Sequence, residues 1–141
     1  MEEFKLTIDG RECSARPGQT VLQVALAAGI RIPNLCYDPR LSPTGACRLC
    51  LVEVGGKEAL DTACTLAAAP GLSVRTDRPT VRALRKTTLE FLVSEHNLTC
   101  TTCDRDGDCR LQDYAYEYQI QEHRFPSVVT AAVKRNYASG S

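Results

Sequence analysis

Seven of the eight cysteines lie between Cys36 and Cys109, and they form two groups that each contain a Cys-x-x-Cys pair. Thiols at this spacing bind metal, form disulfides or exchange disulfides themselves. The N-terminal sequence MEEFKLTIDG begins with acidic residues and lacks the apolar segment of a secretory signal. We therefore expect a cytoplasmic protein, and because disulfides rarely persist in a reducing compartment, the clustered thiols are interpreted as metal ligands or redox groups.

The first group has the spacing C-x10-C-x2-C-x13-C and consists of Cys36, Cys47, Cys50 and Cys64. Structural zinc sites usually have two knuckles of paired ligands, whereas here one pair is flanked by two distant single cysteines. This asymmetry favours a [2Fe–2S] cluster, with zinc as the alternative. A thioredoxin-like role is disfavoured because LVEV after Cys50 is typical of a strand rather than a helix.

The backbone near this first group contains small residues that suit a close approach to a bulky cluster. We expect Gly45 and Ala46 to lie nearest to it, with N–H groups placed to donate to sulfur. Arg48, between the paired thiols, would offset part of the negative charge.

The second group has the spacing H-x3-C-x2-C-x5-C and consists of His96, Cys100, Cys103 and Cys109. Taken alone, one imidazole and three thiols are an acceptable zinc set. A single histidine beside an apolar helix face is also often a structural residue. The residues by themselves leave these alternatives open.

Hydrophobic periodicity and turn residues predict how the chain positions both groups. The first half is predicted to form a hairpin around Asp9-Gly10, a helix from Val21 to Ala28 with Thr20 as its N-cap, an irregular loop, a second hairpin and a last strand at 72–76. The second half is predicted to form one helix from Pro79 and another after Cys109. The apolar face of the helix from Pro79 is predicted to comprise Val81, Leu84, Thr88, Phe91 and Leu92.

Two segments resemble parts of a known group of proteins. NLCYDPRLSPTGACRLCLVEV resembles the [2Fe–2S] segment of the large iron–sulfur subunit of respiratory NADH dehydrogenase, and also the ferredoxin-like N-terminal domains of iron-only hydrogenases and NAD-linked formate dehydrogenases. EHNLTCTTCDRDGDCRLQDYAYEY is similar to the small domain that follows in these families, where one histidine and three cysteines bind a [4Fe–4S] cluster. The resemblance implies a [2Fe–2S] cluster on the first group and a [4Fe–4S] cluster on the second.

The resemblance also implies a domain organisation and an α+β fold. We expect a β-grasp, ferredoxin-like [2Fe–2S] domain at 1–78, a small helical [4Fe–4S] domain with one histidine and three cysteine ligands at 79–125, and a C-terminal tail at 126–141. The larger families continue into two further all-cysteine [4Fe–4S] clusters and a catalytic domain, whereas no cysteine follows Cys109. The chain is therefore expected to be a naturally short subunit or an excised fragment.

The functional prediction is a relay of single electrons between a flavin- or NAD(P)H-linked partner and a catalytic subunit. Its expected partners are flavin- and iron–sulfur-containing subunits of an oxidoreductase complex, and no catalytic site of its own is visible. Equal numbers of basic and acidic residues, 17 each, disfavour nucleic acid, and no apolar run reaches the length for direct membrane insertion. Cys13 is interpreted as a buried hydrophobe and His123 as a surface residue.

Two rival interpretations remain at this point. In the first, the chain is a zinc-binding interaction module in which one or both groups are structural. In the second, only the first cluster exists, and residues 79–125 dock a partner.

Overall fold

The computed structural model describes residues 2–55, 60–96 and 98–125. Within it the chain divides into two compact units, the first ending at Thr88 and the second beginning at Leu89. This division falls inside a helix, so the expected domain boundary after residue 78 stays a prediction. The expected tail at 126–141 lies outside the described residues.

The first unit is built on a mixed sheet with one helix between its two hairpins. Its elements are β1 (Phe4–Ile8), β2 (Arg11–Ala15), α1 (Val21–Ala27), β3 (Leu51–Val54), β4 (Leu60–Thr62) and β5 (Ser73–Arg75). The strand order is β2-β1-β5-β3-β4, with β1 and β5 parallel and the other neighbours antiparallel. The expected α+β class and hairpin–helix–hairpin order are confirmed.

Local signals explain the first hairpin and the helix. Asp9 and Gly10 have φ values of 51° and 81°, and positive φ at both central positions is the type I′ turn that suits a two-residue hairpin. The Thr20 hydroxyl accepts from the N–H of Gln23, and the Gln23 side chain accepts from the N–H of Thr20. This reciprocal capping box fixes the start of α1, as the N-cap prediction requires.

The core of the first unit lies between α1 and one face of the sheet. Alternate strand residues such as Leu6, Ile8 and Val52 are buried against the inner face of α1. Cys13 is 5% exposed within this core, so its interpretation as a buried hydrophobe is confirmed. Cys50 and Cys64 belong to the same cluster of buried residues, so half of the first cysteine group is anchored in the core.

Helix α2 (Pro79–Ser94) begins at the predicted proline but does not bury the predicted face. Leu84 and Phe91 are 49% and 57% exposed. The buried positions are Val81, Arg85, Leu89, Glu90 and Val93, and all of them except Glu90 follow one another at intervals of four. Val81 is buried as predicted, but the assignment of Leu84 and Phe91 to the buried face was wrong because the buried stripe contains an arginine, which a search for apolar periodicity cannot assign to the interior.

The second unit contains the end of α2, a 3₁₀ turn (Cys100–Thr102) and α3 (Arg110–Glu117). Tyr114, Ala115 and Tyr118 are buried, whereas Tyr116 is 71% exposed, in agreement with the helical spacing of these residues. Within the described ranges, no helix is long and apolar enough to cross a membrane.

Candidate iron–sulfur sites

The loop between α1 and β3 brings Cys36 back against Cys47. The N–H of Cys47 lies 3.5 Å from the Cys36 sulfur, and the N–H of Ala46 and the side chain of Thr44 also donate to this sulfur. Burial alone would raise the pKa of the Cys36 thiol, but these hydrogen bonds together outweigh it and lower the pKa below its ordinary value. The N–H of Ala46 therefore already interacts with the Cys36 sulfur, and its donation to a cluster-bound sulfur stays a prediction.

Gly45 makes the approach of this loop to the sheet possible. It has a φ of +66°, and a Cβ at this position would lie 3.4 Å from side-chain atoms of both Thr62 and Thr65. Any other residue would be strained in this backbone conformation. The expectation that the chain passes closest to the cluster at Gly45 stays a prediction.

Cys50 and Cys64 form the buried side of the same site. Each is 1% exposed, and the N–H of Cys64 lies 3.5 Å from the Cys50 sulfur. Burial raises the pKa of the Cys50 thiol to about 12, opposed by the Cys64 N–H and reinforced by the neighbouring thiols of Cys64 and Cys47. The four cysteines of the first group thus lie close together at one site. Cys36 is on its solvent-exposed side and Cys50 on the side facing the core.

The contrast between these two thiols predicts their reactivity in the metal-free chain. Only the thiolate attacks an alkylating agent, so Cys36, exposed and with a lowered pKa, should react at least roughly tenfold faster with iodoacetamide than Cys50. Time-resolved mass spectrometry of peptides from the alkylated chain measures both rates. In denaturant the two rates should converge, and equal rates in the folded chain would contradict the described environments.

The second group lines a cavity of about 360 Å³ in the second unit. His96 follows the end of α2, Cys100 begins the 3₁₀ turn, and the N–H of Cys103 closes that turn on the Cys100 carbonyl at 3.0 Å. Cys109 is the N-cap residue of α3. The structure therefore places all four predicted ligands on the wall of one cavity, which Leu98, Leu111 and Ala115 also line.

The loop from Cys103 to Cys109 is held by its own backbone and by Gln112. The N–H of Arg105 lies 3.5 Å from the Cys103 sulfur. The Gln112 amide accepts from the N–H of Gly107 at 2.9 Å and donates to the Asp106 carboxylate at 2.7 Å. Gln112 thus ties the loop between two predicted ligands to the first turn of α3, a role that its sequence position does not reveal.

His123 also supports this site. It is exposed, as predicted, but its Nε2 lies 2.7 Å from the carbonyl oxygen of His96. Next to it, Arg124 pairs with the buried carboxylate of Glu90 at 2.8 Å, and Phe125 stacks on Phe91 with ring centroids 4.2 Å apart. These contacts bring residues 123–125 back against the end of α2, beside His96.

The donor atoms of both sites fit an iron–sulfur cluster. Thiolates that receive main-chain N–H donors are typical cluster ligands, since these donors stabilise negative charge on sulfur. A single zinc ion, with Zn–S distances of about 2.3 Å, is enclosed by its ligands and fills far less space than the cavity at the second site. Within residues 2–55, 60–96 and 98–125, no three His, Cys, Asp or Glu side chains converge as the ligands of one ion would.

Comparison with known families decides the nature of the first unit. Residues 1–79 match the 2Fe-2S iron-sulfur cluster binding domain. The chain belongs to this family. After the [2Fe–2S] domain, residues 85–124 match the iron-sulfur binding region of NADH-ubiquinone oxidoreductase-G.

Similar proteins carry both regions within longer chains. The [2Fe–2S] domain and the region after it are 43% identical over 122 residues to a G-type subunit of the NADH-quinone oxidoreductase of Rhizobium meliloti, covering 86% of this chain and 14% of that protein. The mitochondrial NADH dehydrogenase [ubiquinone] iron-sulfur protein 1 of Solanum tuberosum is 38% identical over 133 residues. The match covers 94% of this chain and 18% of that protein. This chain thus spans less than a fifth of these relatives.

A solved structure supports the same assignment. A chain of an NAD+-reducing [NiFe]-hydrogenase in the H2-reduced state is similar with a TM-score of 0.81 and 41% identity, over 89% of this chain and 53% of that one. The resemblance inferred from the cysteine segments is therefore confirmed, as are the two cluster types. The assignment of individual ligands stays a prediction.

Gln112 offers a test of how the loop of the [4Fe–4S] region is held. Replacement Gln112→Ala removes two partly exposed hydrogen bonds, a loss of about 1 kcal/mol in local stability. We expect an iron chelator to remove the [4Fe–4S] cluster roughly fivefold faster, with the [2Fe–2S] cluster unchanged. Asp104→Ala, an exposed neighbour in the same loop, is the matched control. Equal release from both variants would show that Gln112 does not hold the loop.

Proposed function

We propose that this chain is an electron-transfer module that relays single electrons between its two clusters. Cys36, Cys47, Cys50 and Cys64 hold the [2Fe–2S] cluster; His96, Cys100, Cys103 and Cys109 hold the [4Fe–4S] cluster. When bound, each cluster supplies one-electron redox chemistry. The observation that carries the proposal is that both complete donor sets lie on one chain, each within the part matched by a cluster-binding family.

The described residues explain what the protein contributes at the first site. Cys50 and Cys64 hold one side of the cluster in the core, away from water. Cys36 is exposed, so the opposite side faces the surface, where a partner can approach. The N–H groups of Ala46 and Cys47 at the Cys36 sulfur stabilise added negative charge, which favours the reduced state on the exposed side.

The second site contributes a different charge balance. Neutral imidazole replaces one thiolate, so the [4Fe–4S] site carries less negative charge than an all-cysteine site. Its reduction potential is therefore raised relative to such a site. A difference in potential between the two clusters gives electron flow a preferred direction within one chain.

The partners follow from the names of the similar proteins. These belong to NADH-quinone oxidoreductases and an NAD+-reducing hydrogenase. We propose that the module exchanges electrons with flavin- and iron–sulfur-containing subunits of such a complex, in the cytoplasm, and that the catalytic step takes place outside this chain.

Metal analysis of the anaerobically purified chain tests the proposal. Two irons in one cluster plus four in the other give six irons and six labile sulfides per chain. Reduction should produce two EPR signals that titrate at different potentials. A colourless protein with stoichiometric zinc and no labile sulfide would support the zinc-binding module instead. Two irons with a single [2Fe–2S] signal would support the docking interpretation of the second half.

A further inference from the structure

Arg85 is a buried cation of α2, within the first compact unit, that the function above does not use. Its side chain is 2% exposed and is among the largest fully buried ones in the described residues. Burial of a guanidinium is unfavourable unless its N–H groups are hydrogen-bonded. Its bonds include Nε to the Leu49 carbonyl at 3.0 Å, and Nη2 to the carbonyls of Leu51 at 2.7 Å and Thr76 at 3.2 Å.

Two of these carbonyls belong to the residues on either side of Cys50. Leu51 is the first residue of β3 and Leu49 precedes the strand, yet both carbonyls accept from the same guanidinium and therefore face the same side of the chain. On that side, β3 pairs with β5 only further along the strand, at Glu53 and Val54. The Arg85 guanidinium therefore lies beside the part of the chain that β5 does not pair with. There its N–H groups donate to the carbonyls that the N–H groups of a longer β5 would otherwise bind.

The opposite edge of the same segment is held by β4. The carbonyl of Cys50 accepts from the N–H of Ala63 at 2.9 Å, one residue before the ligand Cys64. The main chain at Cys50 is thus fixed by Arg85 on one side and by Ala63 on the other. A planar guanidinium can bind several carbonyls at fixed angles, whereas a lysine ammonium is a point charge without this geometry.

We propose that Arg85 is a positioning residue for the Cys50 ligand of the [2Fe–2S] cluster. It fixes the main chain on both sides of Cys50, and this keeps the Cys50 sulfur directed at the other three ligands and slows cluster release. The inference rests on the proposed function, since it requires Cys50 to be a ligand.

The test compares Arg85→Lys and Arg85→Met with the unmodified 141-residue chain, all purified anaerobically. Chelator-driven loss of the [2Fe–2S] absorption should be about threefold faster in Arg85→Lys and at least about tenfold faster in Arg85→Met, because lysine keeps one bond and methionine none. The EPR signal of the reduced [2Fe–2S] cluster should broaden in both variants, since Cys50 samples more orientations. The [4Fe–4S] signal serves as the internal control.

Two control variants separate positioning from general stability. Arg82→Met replaces an exposed arginine of the same helix and should change neither release nor line shape. Leu6→Ala opens the core at β1, which β5 separates from β3, and lowers the melting temperature without removing a hydrogen bond of the Cys50 main chain. At an equal drop in melting temperature it should release the cluster more slowly than Arg85→Met.

The outcomes distinguish this inference from the proposed function. If Arg85→Lys keeps the release rate and the EPR line shape of the unmodified chain, the positioning role is overturned while the proposed function stands. The same holds if Leu6→Ala releases the cluster as fast as Arg85→Met. Should Arg85→Met fail to fold, Arg85→Lys decides the question. If the unmodified chain binds no [2Fe–2S] cluster, the proposed function itself fails.

Discussion

Cys36→Ala, which removes a proposed ligand, should abolish the [2Fe–2S] cluster and leave the [4Fe–4S] cluster in place, so the iron content should fall from six to four per chain. Cys36 is the exposed member of the first group, and exposed substitutions usually change stability by no more than about 0.5 kcal/mol. The metal-free variant should therefore melt like the unmodified metal-free chain. Iron and sulfide analysis, with EPR of the reduced protein, measures the outcome.

Cys13→Ala is the matched control, because Cys13 is a cysteine of the same domain that lies outside the site. It is buried in the core at 5% exposure, and its loss should lower the stability of the metal-free chain by about 1 kcal/mol. The iron content should stay at six. The two substitutions thus have opposite expected effects. Cys36→Ala should lose iron without losing stability, and Cys13→Ala should lose stability without losing iron. A Cys36→Ala protein with six irons would remove Cys36 from the ligand set.

The parts of this protein that could be predicted from its sequence depend on local signals. The Asp9-Gly10 turn requires two positive φ values, and its hairpin is present. Thr20 and Gln23 are close enough in sequence to cap each other. The spacing of the first cysteine group places its thiols on one loop and one hairpin. Most of the first site is therefore formed by residues that are near one another in sequence.

The parts that could not be predicted depend on long-range polar contacts. Arg85 binds carbonyls 36 and 34 residues earlier in the chain, and this contact turns a polar position of α2 into a buried one. The apolar pattern therefore assigned the wrong face to the helix. His123 similarly reaches the His96 carbonyl across 27 residues, and nothing in its polar surroundings indicates that partner. A hydrogen bond to a main-chain carbonyl places no demand on the residue type at the acceptor, so it leaves no pattern in the sequence.

His96→Ala should have the second large effect, because it removes one of the four proposed ligands of the [4Fe–4S] site. The iron content should fall from six to two per chain, and the [2Fe–2S] EPR signal should remain. His96 is exposed and lies beyond the end of α2, so the helix does not depend on its side chain. Retention of six irons would show that another group completes the site.

The two histidines of the chain allow that alternative to be tested directly. The His123 ring lies beside the His96 loop, so His123→Ala should loosen the loop but keep six irons. If instead His123→Ala loses four irons and His96→Ala keeps six, then His123 is the ligand. His96→Cys distinguishes further: a thiolate restores a fourth ligand, so six irons should return, and the added negative charge should make the [4Fe–4S] potential more negative than with histidine. A redox titration of the His96→Cys protein therefore tests both the identity of the ligand and the reason for the imidazole at this position.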